Sequence, residues 1–313
     1  MSIRPDTSAS WRRSTRDHAP VVLRRLLALV HSPYFTDVDL TELAVLAENA
    51  VESAFMKGEP VVPGRERLPS VHHVLEGRIE MADVTPVVWT PRMTVGLLEV
   101  FAGRALPAAA IAATDVRTLE LDAADMFEIL EDSFGLLSPL LRALAARALE
   151  LPWSWPQPLP AAPPPAAVLG LVDRMILIRR HLPLYAVRMQ PLTILAHAAR
   201  EETWSAGEVI ARAGARGRDV GIIVAGTVAA SRDGEAERLL GPGAAFGALE
   251  VLAGRPSDYT LHARSDTRAV TLSPSAVFDV LEDHPELGLA IAGSLAGRLI
   301  DEVPRAATSA PAG

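Results

Sequence analysis

The sequence predicts a mainly β fold with flanking α-helices, arranged as two tandem small β-barrels of the jelly-roll type. Each barrel is expected to carry helices at its N- and C-terminal ends. Two observations support this prediction: the chain contains an internal repeat, and each repeat has about eight short strands between helical segments. Short, numerous strands separated by turn residues are typical of closed or double-sheet β structures.

The internal repeat consists of segments that recur 149 to 151 residues later in the chain. Because this spacing drifts by only two residues, it indicates one duplicated domain with a small insertion in a loop. A chain of 313 residues is long enough for about two domains, which agrees with a duplication. The recurring pairs are Gly58-Glu59 with Gly207-Glu208, Gly77 with Gly226, Glu99–Arg104 with Glu250–Arg255, and Met126–Asp132 with Val277–Asp283.

In repeat two, the spacing of apolar residues predicts helices over residues 169–180 and 190–199. β-branched and alternating runs then predict strands, with a hairpin turn at Asp233-Gly234. Proline suits the first turn of a helix, so Ser273-Pro274 is expected to open one. The predicted strands are 209–210, 220–228, 238–240, 259–263 and 269–272, and the closing helices are 276–281 and 286–300.

Repeat one follows the same order of elements. Its predicted helices are 26–30, 40–51, 124–130 and 136–149, and its clearest strands are 71–81 and 116–121.

The predicted domain plan has two barrels, two tails and one linker. The linker has seven prolines in residues 151–165, which block helix and sheet, and its Trp153 and Trp155 are expected to dock on the chain itself or to bind a partner. The expected boundaries are a disordered tail over 1–17, the first domain over 18–150, the linker over 151–167, the second domain over 168–303 and a tail over 304–313.

The composition excludes several classes of protein. The chain has 49% apolar and 22% charged residues, which is ordinary for a globular protein. The absence of cysteine excludes disulfides, thiolate catalysis and cysteine zinc sites, and it fits the cytoplasm. No stretch is long and apolar enough to cross a membrane, and no secretory signal is visible. Lys57 is the single lysine among 30 basic residues, which indicates a GC-rich, bacterial genome.

The net charge of −8 argues against nucleic acid as a partner, since nucleic-acid binders usually present a basic face. About ten residues follow Val303, so we expect no helix-turn-helix after the last helix.

The second repeat contains a characteristic series of glycines and apolar strands: Gly207-Glu208, Gly214, Val220–Val228 with Gly226, Phe246-Gly247, and Pro256–Thr260. With this pattern it resembles the cyclic-nucleotide-binding domain of catabolite-activator-type regulators, cyclic-nucleotide-dependent kinases and gated channels. The first repeat resembles it more weakly. The family holds a cyclic phosphate on backbone N–H groups at the helix start after the Phe-Gly pair, where the helix dipole favours an anion.

The resemblance implies a candidate ligand site in repeat two, but two family residues are missing there. Where the family has a glutamate that binds the ribose hydroxyl, this chain has Ala248. Where the family has an arginine that binds the phosphate, this chain has Ser257. Arg255 and Glu250 are possible substitutes. The candidate ligand-binding residues are Phe246, Gly247, Ala248, Glu250, Arg255, Ser257 and Thr260, and the degenerate equivalents in repeat one are Gly96 and Arg104.

Two further patterns receive simpler explanations. His72 and His73 are adjacent in a strand, so they face opposite sides of the sheet and do not suit one metal ion; no metal site is expected. Gly288, Gly293 and Gly297 with two alanines between them suggest close packing of the last helix, either in a homodimer or against its own barrel.

The sequence therefore predicts a non-enzymatic regulatory protein that acts through a partner protein, with no catalytic residue and no cofactor. A cyclic nucleotide is a possible ligand, in the second domain only. An interaction scaffold whose barrels have lost nucleotide binding is the alternative hypothesis, and an enzyme of cupin-like chemistry is a third.

Overall fold

The computed structural model describes residues 21–35, 38–81, 87–151, 169–181, 189–215 and 219–308, with residues 303–308 described only as helix backbone. The predicted tail over 1–17, the linker tryptophans Trp153 and Trp155, and the end of the chain after residue 308 lie outside these ranges. The chain forms two compact units, Met1–Pro139 and Leu140–Gly313, which are described separately below. The predicted domain boundaries stay a prediction.

The first unit contains eight short strands among the residues described, with helices before, between and after them. The helices are α1 (21–29), α2 (Leu40–Asn49), α3 (Leu97–Ala102), α4 (Ala123–Asp132) and the start of α5 (Phe134–Leu149). The strands are β1 (Val51–Phe55), β2 (Pro60–Val62), β3 (Ser70–Glu76), β4 (Ile79–Met81), β5 (Val88–Trp89), β6 (Thr94–Val95), β7 (Ala110–Ala112) and β8 (Val116–Asp122).

The second unit repeats this sequence of elements. Its helices after α5 are α6 (Leu171–His181), α7 (Met189–Ala198), α8 (Ala248–Ala253), α9 (Pro274–Asp283) and α10 (Pro285–Thr308). Its strands are β9 (Arg200–Trp204), β10 (Val209–Ala211), β11 (Val220–Ala225), β12 (Val228–Ser231), β13 (Arg238–Leu240), β14 (Ala245–Phe246), β15 (Thr260–Ala263) and β16 (Thr267–Leu272).

Each unit folds as two four-stranded antiparallel sheets with the same strand order. In the first unit the orders are β1-β8-β3-β6 and β2-β7-β4-β5, and in the second they are β9-β16-β11-β14 and β10-β15-β12-β13. First strands pair with last strands and second strands with penultimate ones, which is the jelly-roll arrangement of eight strands. The predicted fold class, mainly β with flanking helices and two barrel-like halves, is confirmed.

The recurring Gly-Glu pair proves to be a turn that the fold requires. Gly207 has a φ of 90° and its N–H donates to the Ala263 carbonyl at 2.7 Å, while the Glu208 carboxylate accepts an amide three residues earlier at 2.8 Å. Gly58 and Glu59 make the equivalent bonds in the first unit. The recurrence of this pair thus has a structural cause.

The N-terminal helix pair of each unit is held to its sheet by one shared glutamate. In the second unit, Glu201 on β9 contacts Arg174 of α6 at 3.1 Å and Arg268 of β16 at 3.8 Å. The corresponding residues of the first unit are Arg25, Glu52 and Arg117, with distances of 3.9 and 2.8 Å to Glu52. The sequence comparison did not reveal this pattern, because its members are scattered over about 100 residues.

Two of the predicted strand ranges are each divided by a glycine. Val220–Val228 splits into β11 and β12 at Gly226, which has a φ of 90° and whose Cβ, if present, would lie 2.3 Å from the Asp266 carbonyl oxygen. Gly77 divides residues 71–81 in the same way. β9 was not predicted because its sequence, Arg-Glu-Glu-Thr-Trp, is mostly charged.

The predicted turn and helix start in the second unit are confirmed. β12 and β13 form an antiparallel hairpin around Gly234, and Ser273 caps α9 by accepting a hydrogen bond from the Ala276 N–H at 3.3 Å. Within the described ranges, no helix has the length and hydropathy needed to cross a bilayer.

Candidate ligand site of the second barrel

The candidate site begins where β14 ends and the short helix α8 starts. Gly247 caps α8 with a φ of 82°, and a Cβ at this position would lie 2.6 Å from the Asp219 carbonyl oxygen, so only glycine fits. Ala248, at the family's ribose-binding position, is exposed, whereas Glu250, two residues later, is buried. The predicted ligand residues Gly247 and Ala248 therefore lie at the start of α8, and the buried carboxylate nearby is that of Glu250.

Two aromatic side chains fill the interior of the second barrel. Phe246 and Tyr259 are 4% and 1% exposed and belong to one apolar cluster, and Trp204 packs against it from the first strand of the unit. The other buried members of the cluster are Ile223, Val228, Ala230, Leu240, Ala244, Leu261 and Ala269. Protein cores pack at crystal-like density, so the two rings and their neighbours occupy the space within this cluster.

Phe246 lies directly over a glycine on the neighbouring strand. Gly221 pairs with Phe246 across β11 and β14, and a Cβ on Gly221 would come within 2.0 Å of the Phe246 ring. In the first unit the equivalent pair across β3 and β6 is His72 with Val95. The large side chain has thus changed strands between the two units, which gives the two barrels different interiors.

Ser257, one of the predicted ligand residues, is buried. Its hydroxyl accepts from the Tyr259 N–H at 3.3 Å and donates to the Tyr259 carbonyl at 3.2 Å, and its own carbonyl accepts from the Gly214 N–H at 2.8 Å. Thr260 Oγ1 accepts from the Ala213 N–H at 3.0 Å. Both predicted ligand residues therefore fix the loop between β10 and β11 to the start of β15.

The adjacent carboxylate, Asp258, forms an ion pair with an arginine in the turn that connects β12 and β13. Arg232 donates to Asp258 at 2.8 Å and also contacts Glu235 at 3.1 Å. The Asp258 side chain is mostly exposed while that of Arg232 is mostly covered. A positive charge is consequently close to the Ser257 position, but it is engaged with two carboxylates.

Arg255, the proposed substitute cation, is on the surface. Its side chain is 52% exposed and its Nη1 lies 3.7 Å from Glu150 Oε1, while its backbone N–H donates to the Glu250 carbonyl at 3.1 Å. At that distance and exposure the ion pair is weak. The structure thus brings Phe246, Gly247 and Glu250 together on one turn and leaves Arg255 at its solvent side.

The equivalent turn of the first unit keeps the glycine, the glutamate and the arginine as Gly96, Glu99 and Arg104. Gly96 caps α3 with a φ of 83°, and Arg104 is exposed with its backbone N–H donating to the Glu99 carbonyl at 2.8 Å. The recurring Glu-Val-x-Ala-Gly-Arg segment is therefore a helix-ending turn in both units, since Gly103 and Gly254 each adopt a left-handed conformation just before the arginine.

The interior face of the first unit's sheet carries a polar cluster in place of the aromatic one. His72 is buried, its Nδ1 lies 3.3 Å from Thr118 Oγ1 and its Nε2 lies 3.4 Å from Ser70 Oγ. Glu120 accepts hydrogen bonds from Ser70 and Ser53 beside it. Burial lowers the pKa of His72 below its usual value, and the nearby charge of Glu120 opposes that shift.

His73 faces the other side of the same strand, as predicted. Its Nδ1 lies 3.1 Å from Thr94 Oγ1, next to a small cavity of about 30 Å³ between the sheet and the helices, lined also by Leu46 and Met126. Burial lowers the pKa of His73 to about 4. Over the part of the chain that the structure describes, no three His, Asp or Glu side chains are grouped closely enough to hold a metal ion.

Sequence reasoning predicted a strand over residues 259–263 but did not identify Tyr259 or Gly221 as residues of the barrel interior. Tyr259, Leu261 and Ala263, which alternate along the chain, are all buried. The opposition of Gly221 and Phe246 had no signal, because it depends on a strand pairing across 25 residues.

Comparison with known proteins agrees with this architecture. The family model of the cyclic nucleotide-binding domain matches residues 201–284. None of the curated proteins matches the chain.

Solved structures of low identity also match over most of the chain. The regulatory domain of Toxoplasma gondii PKA with cAMP is 15% identical, covers 92% of this chain and 98% of its own, and has a TM-score of 0.34. The regulatory subunit of a cAMP-independent protein kinase A from Trypanosoma cruzi bound to guanosine is 17% identical, with coverages of 92% and 95% and a TM-score of 0.36.

The corresponding subunit from Trypanosoma brucei is 16% identical, with coverages of 93% and 93% and a TM-score of 0.36. At these scores the assignment rests on the strand order and on the family model. The cyclic nucleotide-binding model thus covers the strands of the second barrel, and the first barrel repeats the strand order of the second. Among the described residues there is no output domain of the helix-turn-helix type.

Proposed function

We propose that this protein is a non-enzymatic regulatory scaffold that acts by binding a partner protein, and that its second barrel remains closed to cyclic nucleotides. The observation that supports this proposal is Ser257, which is buried and bonded to the backbone at the position where the family holds phosphate with arginine. Tyr259 and Phe246 occupy the interior beside it.

The energetic consequence is large against an ordinary ligand affinity. A charge-assisted hydrogen bond contributes about 1.5–3 kcal/mol, so the missing arginine alone weakens binding by roughly ten- to a hundredfold. Displacing a buried aromatic ring adds a cost of about 3 kcal/mol or more. Together these terms remove at least half of the roughly 8 kcal/mol that a micromolar affinity requires.

Calorimetry of the full chain with cyclic AMP, cyclic GMP and cyclic dinucleotides tests the proposal. We expect no binding heat up to about millimolar nucleotide from protein whose circular dichroism shows it to be folded. A saturable heat with micromolar affinity for any of these ligands would overturn the closed-barrel proposal.

A second candidate function is a nucleotide sensor that uses the second barrel. One observation favours it: Arg255 is half exposed on the same turn as Glu250, so its side chain has room to swing toward a phosphate. If a binding heat is measured, Arg255→Ala should remove it, whereas Arg104→Ala in the first unit should leave it unchanged.

The remaining parts of the proposal concern partners and location. The net charge of −8 supports a protein partner over nucleic acid, and the absence of cysteine is compatible with the reducing cytoplasm. The last helix was predicted to pack either in a homodimer or against its own barrel, and Ala292 and Ala296 are fully buried within a single chain. The packing that offsets its small residues is therefore already present without a second copy.

A further inference from the structure

Two arginines of the first unit have a left-handed backbone at positions where the second unit has glycine. Arg65 has a φ of 66° where Gly214 has 78°, and Arg92 has a φ of 77° where Gly243 has 89°. Among the described residues of the second unit, every residue with a positive φ is a glycine. A Cβ atom crowds the backbone in this region, so the conformation disfavours an arginine and suits a glycine.

The backbone around Arg65 is the same as that around its glycine counterpart. The Arg65 N–H donates to the Leu106 carbonyl at 2.8 Å, and the Gly214 N–H donates to the Ser257 carbonyl at 2.8 Å. The fold therefore forms this contact with a glycine, and an arginine adds only its side chain. A residue in an unfavourable backbone conformation without a structural need for it points to a role of that side chain in function.

Arg65 belongs to a short loop that presents a second exposed arginine. Arg65 and Arg67 lie in the connection between β2 and β3, and both are exposed. Arg67 pairs with Ala105 in an isolated antiparallel bridge, which fixes the loop beside the exposed Arg104. Glu66, between the two arginines, is exposed as well, so residues 65–67 carry a net charge of +1. We call residues 65–67 the arginine loop.

The side chains of the arginine loop differ from other arginines of the first unit in their partners. Arg24 and Arg117 contact the Glu52 carboxylate at 2.7 and 2.8 Å. Within the part of the unit that the structure describes, Arg65 and Arg67 take part in no ion pair. A guanidinium group has five N–H donors in a planar fork that matches a carboxylate. The arginine loop therefore has donors available for a carboxylate of another molecule.

The charge of the whole chain indicates which kind of anion suits this loop. The net charge is −8, so a long polyanion such as nucleic acid, or an anionic membrane surface, meets repulsion beyond the loop. A short acidic segment of a protein brings a few carboxylates to the two guanidinium groups and extends over a smaller area. The local positive charge within an acidic protein thus favours the acidic segment.

We propose that Arg65 and Arg67 bind an acidic segment of a partner protein. This proposal rests on the proposed function, a regulatory scaffold that acts through a partner protein, and it names the surface and the chemistry of that partner. The first unit then supplies a binding surface at the position where the second unit has only the turn at Gly214.

Fluorescence anisotropy of the full chain with a labelled oligo-glutamate peptide tests the proposal. Arg65→Gly should raise the dissociation constant at least about threefold, and Arg65→Gly combined with Arg67→Gln at least about tenfold. Binding should weaken when the salt concentration rises from about 0.01 M to about 0.15 M. An oligo-glutamine peptide of the same length should not bind. Urea unfolding should show that Arg65→Gly is folded, because the fold already has glycine at the equivalent position.

Arg92→Gly is the matched control. Arg92 is exposed and lies in the Thr90–Met93 turn, in which the Met93 N–H donates to the Thr90 carbonyl at 3.0 Å. Pro91 before it favours this turn, and Arg92 lies outside the arginine loop. Arg92→Gly therefore removes the same charge and the same unfavourable backbone conformation as Arg65→Gly. It should leave the dissociation constant unchanged, since a lone exposed charge contributes little to binding.

Any of three results overturns the proposal. The first is wild-type protein that shows no saturable binding of oligo-glutamate at low salt. The second is an equal loss of affinity in Arg92→Gly and Arg65→Gly, which would assign binding to the overall surface charge. The third is tighter binding of single-stranded RNA or phosphatidylserine vesicles with the same dependence on Arg65, which would assign the loop to another class of partner. The calorimetry with cyclic nucleotides tests the second barrel separately, so the closed-barrel proposal stands or fails independently of these results.

Discussion

Substitutions at Gly221 and Phe246, which lie opposite each other on β11 and β14, test whether the Phe246 ring fills the interior of the second barrel. Phe246→Val removes most of a buried ring and should cost about 2–3 kcal/mol, somewhat less than truncation to alanine. Gly221→Ala places a methyl group 2.0 Å from the present position of the Phe246 ring, which should cost about 1–3 kcal/mol in overpacking. Alanine in place of a glycine within a strand stabilises the folded state by about 0.5–1 kcal/mol, which offsets part of that cost.

The double variant Gly221→Ala/Phe246→Val should be more stable than the two single costs imply. Its alanine occupies part of the space that the ring leaves, as the bulkier His72 does opposite Val95 in the first unit. We expect a coupling free energy of about 1–2 kcal/mol in favour of the double variant. Contacting residues usually couple by amounts of this size.

Native-state hydrogen exchange followed by mass spectrometry measures the effect within the second unit alone. Peptides from β11, β14 and β16 report the opening free energy of this sheet, and peptides from β3 and β8 serve as the internal control in the same sample. The reasoning is refuted if the destabilisation of the double variant equals the sum of the two single-variant values within about 0.4 kcal/mol. Such additivity would show that the Phe246 ring and a side chain at position 221 do not compete for the same space.

Three other predictions concern stability. His73→Gln should make the free energy of unfolding depend less on pH between 6.5 and 4. The pKa of His73 is about 4 in the folded protein against an ordinary value near 6.5, so up to about 3 kcal/mol of stability present above pH 6.5 is lost as the pH falls toward 4. Urea titration at each pH measures this difference. Ser273→Ala should cost about 1 kcal/mol and increase hydrogen exchange at the start of α9 specifically; an unchanged rate contradicts its role as a cap. Glu201→Gln should lower the free energy of unfolding by about 1–2 kcal/mol, because it removes the carboxylate that Arg174 and Arg268 share. If the wild-type protein is equally stable in low and high salt, the contribution of this carboxylate is not ionic.

The duplication and the type of fold were readable from the sequence because their signals are local. Turn glycines such as Gly58 and Gly207, the hairpin at Gly234 and the proline after Ser273 constrain the backbone wherever they occur. Because these residues have the same spacing in both halves of the sequence, they predicted two units, and the two units have the same strand order. The strand division at Gly77 was missed because apolar residues continue on both sides of this glycine.

The state of the candidate site depended on contacts between residues distant in the chain. The sequence by itself determined which residues, Ser257 and Ala248, stand where the resemblance predicts the family's arginine and glutamate. Only the tertiary structure decided that Ser257 is buried, that Phe246 packs over Gly221, and that Tyr259 joins it in the barrel interior. The physical reason is that local backbone preferences are encoded in neighbouring residues, whereas the filling of a cavity depends on which strands pair.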